Sequence, residues 1–124
     1  MTTRVFVSFD YDNDARLKDL LIGQAKNPDS PFSLDDWSTK SASPTWNTDA
    51  RNRISRSDQV IVLCGRHMRS AAGVNVEIEL ARETGTPYFL LAGYEDATKP
   101  ATAAGDTLYE WTWDNLKKLI AGLR

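Results

Sequence analysis

The sequence predicts a doubly wound α/β fold: a three-layer sandwich in which a five-stranded parallel sheet of order 2-1-3-4-5 carries helices on both faces. Three observations point there. Short apolar runs alternate along the chain with longer stretches at helical spacing, the pattern of βαβ units. The run Gln59 to Leu63 (QVIVL) is apolar without alternation, as in strands covered on both faces. The composition is that of a packed domain: 124 residues, 41% hydrophobic and 10% aromatic, with a net charge of −2. One domain spanning 1–124 is expected.

The elements follow in order. Arg4 to Phe9 (RVFVSF) is rich in β-branched and aromatic residues and reads as a buried strand. The cluster DYDND ends it, with Asp12 or Asn13 as the helix cap. A helix from Asp14 to Ala25 should turn Leu17, Leu20, Leu21 and Gln24 inward. Phe32 to Asp35 suits a short edge strand, followed by a polar loop to Pro44. Trp46, Ala50 and Ile54 recur every four residues and predict a second helix ending near Ser57. After the Gln59–Leu63 strand, Gly65 to Gly73 reads as a loop and Val74 to Thr84 as a helix stopped by Gly85 and Pro87. Tyr88 to Ala92 (YFLLA) is a further buried strand and Thr107 to Glu110 a short last one. Trp113 to Leu123 closes the chain as a helix capped by Thr112, with Leu116, Leu119, Ile120 and Leu123 inward. This is a flavodoxin-like arrangement, whose ligand crevice lies beyond the carboxyl ends of strands 1 and 3.

Several function classes lack their signatures. There is no G-x-G-x-x-G after the first strand, no G-x-x-x-x-G-K-[ST] and no G-x-S-x-G. Cys64-Gly65 stands at the end of strand 3, where a phospho-accepting receiver needs its Asp. The lone Cys64 and lone His67 leave too little for a Cys- or His-based metal site, so neither metal nor resident cofactor is expected. The single cysteine fits a reducing compartment, and no apolar run approaches the ~20 residues of a membrane span, so a cytoplasmic protein away from membranes is expected. Arg51, Arg53, Arg56, Arg66 and Arg69 crowd residues 51–69 against Asp58 alone, either as a solvated face or as a patch for an anionic ligand. They lack interleaved aromatics in an acidic chain, which argues against nucleic acid.

The helix from Val74 is the informative segment. At about 100° per residue, Val74, Ile78 and Ala81 flank one side of its inward face and Val76 and Leu80 the other. Glu77 falls between them, directed at the sheet. A charge placed in low dielectric is costly unless paired or hydrogen-bonded, and burial raises its pKa. Glu77 therefore pairs with an arginine, escapes to solvent from the helix's first turn, or projects into a ligand site. In the last case it could stabilise positive charge developing on a sugar.

The segments RVFVSFDYDND, SRSDQVIVLCG and SAAGVNVEIELARETGTPYFLLAGY resemble the TIR-like family, which includes the signal-producing subunit of the bacterial Thoeris anti-phage defence system. The resemblance runs from Arg4 through EWTWDNLKKLI, and the V-N-x-E-I-E-x-A block at 74–81 is its most specific part. It implies cleavage of the N-glycosidic bond of NAD⁺ as substrate, followed by hydrolysis or cyclisation of the ADP-ribose moiety into a nucleotide signal for a downstream effector. It implies Glu77 as the catalytic residue, Phe9, Asp10 and Tyr11 at the nicotinamide end, and His67 and Ser70 on the other side. Self-association is also implied. Family members commonly carry a Trp shortly before the glutamate block and an aromatic just before the Glu, where this chain has Gly73 and Val76. Within the same family the alternative is a non-catalytic adaptor acting by protein–protein assembly. Cys64 is expected to be a small buried hydrophobe, and one of Trp37 and Trp46 to stack on adenine while the other joins the core.

Overall fold

Strands of this chain feed a single sheet because each alternates its side chains between two apolar layers. The computed structural model describes residues 3–39 and 44–123. Its order is β1 (Thr3–Ser8), α1 (Ala15–Ala25), β2 (Phe32–Trp37), α2 (Trp46–Ser55), β3 (Gln59–Cys64), α3 (Ala72–Thr84), β4 (Tyr88–Ala92), β5 (Leu108–Glu110) and α4 (Trp113–Ile120). Short 3₁₀ turns lie at Met68–Ser70 and Ala101–Ala103. The sheet runs β2-β1-β3-β4-β5 with every pairing parallel, the order that the alternation predicts.

One core layer joins Phe6, Val60, Val62, Cys64 and Leu90 of the sheet to Ala50, Ile54, Val74, Ile78 and Ala81 of α2 and α3. The other joins Val5, Val7, Ile61, Leu63, Phe89 and Leu91 to Leu17 and Leu21 of α1 and to Leu116, Leu119 and Ile120 of α4. Every residue of β3 is buried, which is why its sequence shows no alternation. Each fully buried Val, Leu or Ile contributes roughly 1.5–3 kcal/mol of transfer free energy, so this central strand carries a large share of the driving force.

Several local expectations need correction. Leu20 is 54% and Leu123 68% exposed: α1 turns only Leu17 and Leu21 fully inward, and α4 ends at Ile120, before Leu123 can join its inner face. Neither Asp12 nor Asn13 caps α1. Asp14 holds the cap position without a side-chain bond, while the Asp10 carboxylate accepts hydrogen bonds from the Asp12 amide at 3.2 Å and from Asn13 Nδ2 at 2.8 Å. The second strand extends to Trp37 and the third helix begins at Ala72. Thr112 does cap α4, accepting from the Asn115 amide at 3.1 Å, and Gly85 ends α3 at a positive φ of 70°, a conformation glycine adopts without a Cβ clash.

The turn after β1 is pinned from below. Asp14, only 5% exposed, lays its carboxylate over Gly65, where a Cβ would sit 2.2 Å from Oδ2. We expect Gly65→Ala to lose ~1–3 kcal/mol in urea unfolding through overpacking. Gly23→Ala, in open space on α1, should be neutral or gain up to ~1 kcal/mol from helix propensity. Equal behaviour of the two variants would contradict the close contact.

Candidate functional site

The carboxyl end of β1 delivers Ser8, the residue after β2 delivers Ser38, and α3 delivers Glu77 between them. Because α3 starts at Ala72 rather than Val74, Glu77 sits beyond the first turn and cannot reach solvent; it is 1% exposed. Ser8 Oγ donates to Glu77 Oε1 at 2.8 Å and Ser38 Oγ donates to the same oxygen at 2.5 Å. Oε2 is buried without a hydrogen-bond partner among the described residues. No cation among the described residues forms an ion pair with Glu77; the nearby Arg53 instead pairs with Asp36 at 3.5 Å. Burial is the main force on this carboxyl and pushes its pKa up to about 7, against the two serine bonds, which favour the ionised form. Asp36 adds to the rise and Arg53 opposes it.

A cavity of about 160 Å³ opens onto this group, walled by Phe9, Asp10, Tyr11, Asp12, Ser38, Thr39, Trp46, Ala71, Gly73 and Val74. The rings of Phe9 and Tyr11 stack with centroids 6.2 Å apart. Trp46 is fixed by a 3.2 Å bond from Nε1 to the Thr39 carbonyl. A Cβ on Gly73 would meet its indole at 3.8 Å, so Trp46 supplies from α2 an aromatic wall beside the place where the α3 sequence has glycine. Trp37, 37% exposed, lies instead on the α1 side with Lys18 Nζ 5.4 Å from its ring centroid. Val76 packs against the core.

Phe9, Asp10 and Tyr11 thus share a cavity with Glu77. His67 and Ser70 do not. His67 borders a separate depression of about 190 Å³ with Asn13, Asp14, Arg66 and Tyr94, and Ser70 is exposed on the 3₁₀ turn. The cause is Met68, which is fully buried and whose amide donates to Thr98 Oγ1 at 3.0 Å; with Met68 turned inward, its neighbours face away from the Glu77 cavity. The arginine-rich segment also disperses: Arg51 pairs with Glu83, Arg53 with Asp36, and Arg66 with Asp96. Cys64 is buried, with its thiol pushed up to about 12 by desolvation first and Asp14 second, so it stays a neutral thiol at pH 7.

Ser8, Ser38, Asp12 and Trp46 complete a site that the pattern of α3 alone does not assemble. Ser8 had a signal, a hydroxyl inside an apolar strand. A larger depression, about 730 Å³, lies beyond β4 and β5 against Leu20, Tyr94 and Trp111, but its carboxylates, Glu95 and Glu110, are exposed. Glu77, a buried carboxyl with a raised pKa, lies at the smaller cavity, which makes that cavity the candidate site.

The folded carboxyl of Glu77 titrates near 7 against an ordinary value of 4.5. Between these values the folded chain keeps a proton that the unfolded chain releases, so stability present below pH 4.5 is lost as pH rises towards 7. From pH 5 to 8 the native chain should therefore lose on the order of 2–3 kcal/mol relative to Glu77→Gln in urea unfolding. Parallel pH profiles would contradict the burial of the charge.

A family model described as Thoeris protein ThsB, TIR-like domain, matches residues 6–97. Among solved structures, Clostridium botulinum CMP N-glycosidase, BcmB, is similar with a TM-score of 0.55 and 18% identity, covering 97% of this chain and 96% of that one. No curated protein sequence matches. Among the described residues, no helix is long and apolar enough to cross a membrane.

Proposed function

The chain belongs to the Thoeris ThsB TIR-like domain family, and from that premise we propose that it cleaves the nicotinamide N-glycosidic bond of NAD⁺ with Glu77 as the catalytic residue. The observation that carries the reading is the Glu77 carboxyl at the cavity with Tyr11, Asp10 and Trp46, its Oε2 buried and without a hydrogen-bond partner among the described residues. An orphaned acceptor in low dielectric is costly, and a ribose hydroxyl would satisfy it.

The chemistry follows from charge. As the bond between C1′ and the pyridinium nitrogen lengthens, its electron pair leaves with nicotinamide and positive charge gathers on the ribosyl carbon and ring oxygen. The Glu77 carboxylate faces that charge from a buried position, where it stabilises far more than it would in water. Nicotinamide departs neutral, so no acid is needed for it. Water adds to C1′ and releases a proton, giving ADP-ribose; a hydroxyl or ring nitrogen of the same nucleotide in place of that water gives a cyclic product. Phe9, Asp10 and Tyr11 would line the nicotinamide end, and His67 and Ser70, on the neighbouring turn, would serve only an extended part of the dinucleotide. The ADP-ribose product would act as a signal to an effector protein in anti-phage defence, made by self-associating copies. The similarity to an N-glycosidase of CMP is in keeping with this class of bond.

The two kinds of leaving group demand opposite forms of Glu77. A pyridinium needs the carboxylate, whereas a neutral pyrimidine needs a proton from a carboxylic acid. With the folded carboxyl at about 7, kcat/KM for nicotinamide release should rise through pH 7 and level off above pH ~8. Glu77→Gln should lower it by at least about 100-fold. Measured by nicotinamide release from NAD⁺ alongside cytosine release from CMP, a profile that falls with pH and favours CMP would replace the NAD⁺ reading. Equal release by the native chain and Glu77→Gln would remove Glu77 from catalysis.

A further inference from the structure

We infer that Ser38 and Ser8 are positioning residues which clamp one oxygen of Glu77, leaving Oε2 as the oxygen that meets substrate, and that a one-residue bulge in β2 exists to deliver Ser38. The inference rests on the reading of Glu77 given under Proposed function.

The bulge changes the parity of the strand. In β2, Phe32 and Leu34 pack in the layer shared with α1, and side chains along a strand alternate between faces. Continued without interruption, that alternation would send positions 36 and 38 to the α1 side as well. The pairing of β1 with β2 breaks at this point: Val5 faces Leu34, but Phe6 faces Asp36, so Asp35 is passed over. One extra residue reverses every side chain beyond it. Asp36 accordingly reaches Arg53 of α2, Trp37 turns to Lys18 of α1, and Ser38 arrives under α3 beside Glu77.

Once there, Ser38 is fixed by β1 on both sides of Ser8. Its amide donates to the Val7 carbonyl at 2.9 Å, and its Oγ accepts from the Phe9 amide at 3.0 Å. The hydroxyl proton has two acceptors in reach, Glu77 Oε1 at 2.5 Å and the Val7 carbonyl at 3.4 Å, and the shorter contact takes it. Ser8, fully buried, brings a second donor to the same oxygen. Two donors on Oε1 and none on Oε2 give the carboxyl one orientation and one unsatisfied oxygen. They also hold the ionised form in place against desolvation. Among the described residues, the other charged groups around the site are Asp36 of β2, Arg53 of α2, and Asp10 and Asp12 of the loop after β1; serine substitutions leave these in place.

The test uses the full chain with ¹³C-labelled glutamate side chains, comparing native protein with Ser38→Ala and Ser8→Ala. Each loss of a donor should raise the titration midpoint of Glu77 by about one pH unit. Each should also lower kcat for nicotinamide release at pH 7 by roughly fivefold or more, with KM within threefold on a rough scale and partial recovery at higher pH. Two variants guard against one that fails to fold. Midpoints unmoved in folded variants would overturn the clamp whatever the activity. Shifted midpoints with unchanged kcat/KM at every pH would overturn the assignment of Oε2. If the native chain releases no nicotinamide, the functional reading fails, while the titration still decides the clamp.

Discussion

A carboxyl group enclosed in an apolar layer, with one oxygen satisfied and the other not, is the constraint around which the α2–α3 side of this molecule is arranged. Desolvation alone would hold Glu77 protonated well above neutral pH. The hydroxyls of Ser8 and Ser38 offset part of that cost and bring the midpoint back to about 7, where the group changes charge within the physiological range. A more polar setting would make it an ordinary carboxylate. A drier one, or one sealed by an arginine, would leave it inert. The sheet supplies the setting: β1 and β2 end beside one another, and α3 crosses above them so that its second turn lies over both.

That arrangement explains why the site sits at the β1–β2 side rather than in the larger groove beyond β4 and β5. At the ends of β1 and β2 a helix, α3, lies over the strands and buries the Glu77 carboxyl. The loop after β1, tied by Asp10 to its own backbone and pinned at Asp14 over Gly65, forms the remaining wall. Trp46 closes the cavity from α2, so the aromatic surface comes from a different helix than the one bearing the glutamate.

The fold was legible because it depends on composition and period. Runs such as QVIVL and YFLLA identify buried strands, and their alternation with amphipathic stretches selects a parallel doubly wound sheet. Glu77 was legible for a related reason: a charge centred on an apolar helical face contradicts packing and so asks for another explanation. Ser38 was not, since its orientation depends on a bulge whose effect is to overturn the alternation on which strand reading relies. The resemblance implies His67 and Ser70 on the far side of the site; Met68, buried between them, leaves His67 at a separate depression and Ser70 exposed. Leu20 and Leu123 followed the helical period, but one lies outside the narrow buried stripe of its helix and the other beyond its helix's end.

The most direct test of the central claim is a crystal structure of the protein with a carba analogue of NAD⁺, in which a methylene group replaces the ribose ring oxygen next to nicotinamide and prevents cleavage. The nicotinamide riboside end is expected in the cavity beside Tyr11 and Trp46, with a ribose hydroxyl at hydrogen-bond distance from Glu77 Oε2 and both serines still on Oε1. The analogue seated in another depression, or Oε2 of Glu77 left unpartnered with the analogue bound, would contradict it.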